Sequence, residues 1–160
     1  MAKSILAALS IFLLFSYTEC PKQKVDTTET AEYIWNYAQN HPRGFTINII
    51  TKEPATSGIV VSYYATQNST GKESLKRVIE HALNHNNIVG GWLNPKDSLY
   101  YFDSNKIFSD GKLKKAIDFA IRNKQSTIYD LSNNREIEIN YSPSKAEPGS
   151  KNKSSLSMTN

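Results

Sequence analysis

Leu75, Val78, Ile79, Ala82 and Leu83 fall at i, i+3, i+4, i+7 and i+8, which places them in one apolar stripe on a helix spanning Lys72 to Asn86. On either side of that helix the period drops to two. Phe45 to Thr51 (FTINIIT) and Ile59 to Ala65 (IVVSYYA) precede it. Ile88 to Leu93 and Leu99 to Asp103 follow it, separated by the turn Asn94-Pro95-Lys96-Asp97. A helix with a single apolar stripe set between strand pairs must lay that stripe on a sheet.

The alternation of helix and strand pair recurs along the chain, without a strict period and without residues that match in detail. Asp26-Thr27-Thr28-Glu29 has the spacing of a capping box and opens a first helix. There Ala31, Ile34, Tyr37 and Ala38 share a face, with Trp35 at its edge. His41-Pro42-Arg43-Gly44 ends it, because proline disfavours helix at the residue before it and glycine permits the turn. A third helix, Leu113 to Asn123, carries Leu113, Ala116, Ile117, Ala120 and Ile121 on one face. Ser126 to Leu131 and Glu136 to Ile139 are the last strands. The expected order is α-ββ-α-ββ-α-ββ, an α+β domain with about three helices on a mixed or antiparallel sheet. The first strand pair is expected to form an antiparallel hairpin over the long loop Glu53 to Gly58.

The ends read differently. Lys3 precedes an apolar run from Ser4 to Phe15, the length of a signal-peptide core and short of the ~20 residues that span a bilayer. Two processing points remain open. One is a cut after Ser16. The other is Cys20, which resembles the lipidated cysteine of a bacterial lipoprotein, although Glu19 beside it departs from that pattern. The expected division is a signal peptide at 1–20, a tether at 21–26, the domain at 27–140 and a disordered tail at 141–160. That tail is rich in Ser, Lys, Pro and Asn. The expected location is secreted or at the cell envelope, with membrane contact only through a lipid on Cys20. Cys20 is the sole cysteine, so an internal disulfide framework is excluded and the domain must stand on its core. Nine Tyr, six Phe and two Trp supply material for that core.

The net charge is +4, and removal of the leader leaves it unchanged because Lys3 and Glu19 cancel. No dense Lys/Arg run accompanies it, so no nucleic-acid partner is expected. His81 and His85 stand at i, i+4 and can face one ion, but a third ligand and the glutamate of H-E-x-x-H are missing. No metal site or cofactor is expected. Gly90-Gly91 is not a phosphate loop; glycine inside a strand marks a bulge or close packing.

Several spaced segments carry a resemblance: Gly90-Gly91-Trp92-Leu93, Tyr100-Tyr101-Phe102-Asp103-Ser104, Ala116 to Ala120, Asn123-Lys124-Gln125 and Ile128-Tyr129-Asp130-Leu131. Together they resemble a small module of phage and mobile-element multidomain proteins that reads GGW, YYFDS, A..FA..N.Q and IYDL. The resemblance covers residues 44–137 and implies no defined activity. Of these residues, Trp92, Tyr100 and Phe102 are expected to share a face on the adjacent strands of one hairpin. Tyr101 and Asp103 are expected to point away from the core and to line a surface groove. Gln125 and Asp130 are further candidates for polar recognition, and Trp92 completes the expected binding set.

The reading that follows is an exported, non-catalytic binding module with a protein or glycan partner. The alternative is a small NAD-using transferase or glycohydrolase of the toxin type. There Tyr63 and Tyr64 would hold nicotinamide, and Glu136 or Glu138, which share a strand face, would stabilise ribosyl charge.

Overall fold

The computed structural model describes residues 25–139. The expected leader with Cys20, all but the end of the tether, and the expected tail lie outside the described residues. The domain is α+β, as expected. Helices α1 (Thr27–Asn40), α2 (Gly71–Leu83) and α3 (Leu113–Arg122) accompany strands β1 (Phe45–Asn48), β2 (Ile59–Ser62), β3 (Ser69–Thr70), β4 (Ile88–Asn94), β5 (Leu99–Phe108), β6 (Thr127–Asp130) and β7 (Arg135–Glu138). The strands form one antiparallel sheet in the order β1-β4-β5-β2-β6-β7, with β3 added beside β5.

Each helix packs for a visible reason, and α1 also starts for one. Asp26 caps α1: its side chain accepts from the N–H groups of Thr28 (2.8 Å) and Glu29 (3.2 Å), two donors that the helix itself leaves unpaired. The stripe of α2 buries Leu75, Val78, Ile79 and Ala82 against Ile34 and Ala38 of α1 and against Ile47, Val89 and Phe102 of the sheet. Ala116 and Ala120 of α3 pack on Ile59, Val61, Ile128 and Ile139. All three described helices thus cover one face of the sheet, and among the described residues the other face carries none.

One expected pairing is corrected. β1 and β2 are not a hairpin: β1 pairs with β4, β2 pairs with β5 and β6, and the two strands stand three places apart. Their connection lacks a tight-turn dipeptide that would fold the strands onto each other. It instead folds back along the outer edge of β1. There Asn48 N–H donates to Glu53 O (3.0 Å) and Ala55 N–H to Thr46 O (2.8 Å), which covers an edge that would otherwise lie open.

β5 organises the sheet. Its first part pairs with β4 from Leu99 to Asn105 and its last part with β2 from Asn105 to Phe108. Asn105 therefore belongs to both ladders, opposite Ile88 on one side and Ser62 on the other. Alternation along β5 sends Phe102 and Ser104 beneath the helices and Asp103 and Asn105 to the uncovered face.

Candidate functional site

A groove of about 800 Å³ crosses the uncovered face. The α1–β1 connection closes one end with His41, Arg43 and Gly44. The middle is floored by Gly90, Asp103, Asn105 and Ser62. Tyr129, Asn134 and Glu136 of the β6–β7 hairpin stand at the far end. Pro54 and Ala55 of the β1–β2 connection and Val60 of β2 add apolar wall. Trp92, 43% exposed, stands on the rim.

The double glycine sets the depth of the floor. A Cβ on Gly90 would collide with the Asn105 amide and come within 3.3 Å of Phe45 O. A Cβ on Gly91 would point the other way, 2.7 Å from Phe102 Cδ1 and 2.9 Å from Phe45 Cε1. One glycine keeps the groove open and its neighbour lets the core close, which realises the close packing expected from sequence.

Polar groups on the floor form a directed chain. With the Asn105 amide oxygen facing Gly90, it accepts that residue's N–H at 3.0 Å. The Asn105 nitrogen then donates to Ser62 Oγ at 2.8 Å and Ser104 O at 3.3 Å. Because Ser62 Oγ accepts from Asn105, its own hydrogen is left for the neighbouring Asp103 carboxyl. Asp103 Oδ1 is shielded from solvent and has no hydrogen-bond partner among the described residues. Burial pushes the Asp103 carboxyl up to about 6, against a smaller lowering by the Ser62 hydroxyl.

Of the residues expected from sequence, Asp103 lies on the groove floor. Tyr101 shares its face but stands at the β4–β5 hairpin tip, outside the groove. There its hydroxyl donates to Asp97 Oδ2 at 2.8 Å, and the Asp97 carboxylate raises the Tyr101 hydroxyl above its ordinary value. Trp92 is not on the face of Tyr100 and Phe102. It pairs directly with Tyr101 in the ladder, and their rings stack at 5.5 Å. Gln125 and Asp130 do not reach the groove. Gln125 Nε2 donates to Asn123 O (3.2 Å) in the turn after α3. Asp130, 5% exposed, holds the β6–β7 turn through Asn133 Nδ2 (2.9 Å) and Arg135 Nε (3.4 Å). These bonds, led by Asn133, keep its carboxyl below the usual range.

The residues of the NAD-using alternative are not brought together. The Tyr63 ring sits under the helices, 5.0 Å from His81 and 5.1 Å from Phe119, with its hydroxyl donating to Asn86 Oδ1 at 2.6 Å. Tyr64 is exposed beneath Lys124. Glu136 and Glu138 share the face of the exposed edge strand β7, as expected, and Glu136 lines the groove on the other side of the sheet from Tyr63. His81 and His85 stack at 3.9 Å. His81 Nδ1 lies 2.6 Å from the buried Ser104 Oγ, and His85 Nδ1 donates to His81 O at 2.7 Å. Burial, and then the neighbouring His85, lower the His81 ring below its ordinary value. Among the described residues no group of three or more His, Cys, Asp or Glu side chains is placed to hold a metal.

Sequence reasoning missed Ser62, Asn105 and Tyr129. Asn105 was within reach, since it stands two residues after Asp103 and so shares its face, but the strand was expected to stop at Asp103. No family model, curated protein or solved structure matches the chain. Among the described residues no helix is long and apolar enough to cross a membrane.

Proposed function

We propose that this chain is a non-catalytic binding module whose ligand lies in the groove over Asp103, and that its apolar leader sends it to the cell envelope or out of the cell. One observation carries the binding reading: the Asp103 carboxyl lines the floor of an open groove, its Oδ1 shielded and without a partner among the described residues. A buried polar atom without a partner costs about 1–3 kcal/mol, more when it is charged. A ligand that donates to the carboxylate from the groove offsets part of that cost on binding. The rest of the groove suits recognition: Trp92 on the rim and Tyr129 at the far end supply flat apolar contact, and the neighbouring Ser62 and Asn105 fix the carboxylate in place. The reacting groups of an NAD-using enzyme, by contrast, are divided between the two faces of the sheet.

The test screens the full chain by thermal shift against amines, short peptides, oligosaccharides and NAD, with nicotinamide release followed in the NAD arm. The expected result is stabilisation by at least one class without turnover, lost in Asp103→Asn and weakened in Trp92→Ala. Nicotinamide release that disappears in Glu136→Ala or Glu138→Ala would overturn the proposal.

A further inference from the structure

Resting on that reading of the groove, we propose that its occupant carries a protonated primary amine on an extended chain, as a lysine-bearing peptide does, with the groove-facing side of the Asp103 carboxylate accepting the ammonium N–H.

The floor presents one carboxylate, Asp103, and the chemistry of its missing partner is specified. An ionised carboxylate only accepts, so the missing partner must donate. The donors nearby are already directed: Gly90 N–H to Asn105, Asn105 Nδ2 to Ser62, and the Ser62 hydroxyl to the Asp103 carboxyl. Among the described residues no cation pairs with it either. The ion pairs among the described residues are Lys72–Glu32, Lys114–Asp118 and Arg135–Asp130, and none involves Asp103. Buried charges are ordinarily paired, and a charge-assisted hydrogen bond is about twice as strong as a neutral one. A sugar hydroxyl would donate to the carboxylate but leave the charge uncompensated. An ammonium does both.

Shape selects the remainder of the occupant. From β4 to β6 the groove crosses three strand spacings, about 14 Å. That length takes about four residues of extended chain. Val60, Pro54 and the Trp92 ring offer apolar wall to the methylene stem of a lysine, whose charged head reaches the floor. The net charge of +4 opposes a cation at long range, and Arg43 lines the groove at the end formed by the α1–β1 connection. Over more than about 8 Å that opposition is screened at physiological salt, whereas the contact with Asp103 is not.

The experiment follows the side-chain carboxyl resonance of Asp103 and the indole resonance of Trp92 in the full chain. The probes are N-acetyl-lysine methylamide, its neutral isostere N-acetyl-norleucine methylamide, the capped pentapeptide Ala-Ala-Lys-Ala-Ala, and chitotriose. The lysine probe is expected to shift both resonances, the pentapeptide to do so at lower concentration, and norleucine to shift neither. In Asp103→Asn, which keeps the side-chain shape, the lysine affinity should drop about tenfold or more, the factor for 1.4 kcal/mol. Trp92→Ala, exposed and remote from the core, should weaken the pentapeptide more than the single residue. A norleucine response equal to that of lysine, or undiminished lysine binding in Asp103→Asn, would overturn the proposal. A response to chitotriose alone would overturn the amine while leaving the groove a binding site. Silence from every probe would overturn both readings.

Discussion

Gly90 stands directly opposite Asp103 in the β4–β5 ladder, so the carboxylate looks across at a position that has no side chain. The absent Cβ is what gives the Asn105 amide room to lie between Gly90 N–H and Ser62 Oγ. Gly90→Ala should therefore cost about 1–3 kcal/mol through overpacking and should also weaken ligand binding. Gly91→Ala should cost a similar amount by pressing on Phe102 and Phe45, with a smaller effect on the groove. Urea denaturation together with ligand titration separates the two.

The Asp103 carboxyl should leave a pH signature on stability. Its folded value of about 6 lies above the ordinary 3.8, so the folded protein holds this proton more tightly than the unfolded chain. The associated stability is present below about pH 4 and is lost as pH rises through about 6. Asp103→Asn removes that loss. The variant should match wild type near pH 4 and exceed it at pH 7 by on the order of 1–2 kcal/mol, after allowance for solvent screening. Urea midpoints at the two pH values check this.

His81 should report on its neighbour. Its ring is lowered first by burial and second by His85, so its neutral form supports the fold. That support is present above the unfolded value of about 6.5 and is lost as pH falls through the lowered one. In His85→Gln the His81 titration should move up, but only part of the way, because burial remains. Proton NMR of the His81 ring across pH 4 to 8 reads the shift. No movement would show that the stacked pair is not electrostatically coupled.

Asp26→Ala should destabilise the domain by about 1 kcal/mol, since two N–H groups of the first turn of α1 lose their acceptor. Chemical denaturation measures the loss, and Asp26→Asn, which can still accept, should restore most of it.

Local pattern made the helices legible. The capping residue Asp26 and the α2 stripe are short-range signals, and the chain folds as they indicate. The β1–β2 pairing was not legible, because no turn dictates it and the partner of β1 arrives from β4, beyond α2 in sequence. The face of Trp92 turned on register: the Pro95-to-Ser98 turn sets Trp92 opposite Tyr101, and a one-residue slip would have reversed it. Asp103 was legible as an outward residue from alternation alone. Its unpartnered oxygen was not, because that depends on which donors the pairing of β2 with β5 brings beside it, where Ser62 stands opposite Asn105.

Asn105, shared by the β4 and β2 ladders, gives the groove a mechanical meaning. The α1–α2 half of the sheet meets the α3 half along β5, and the Asn105 amide stitches β4 to β2 at the seam. Parting the halves would have to pull that stitch first. An occupant resting on Asp103, one step along the same face, acts as a brace across the joint, so occupancy should be felt as slower opening of the whole domain and not only at the groove.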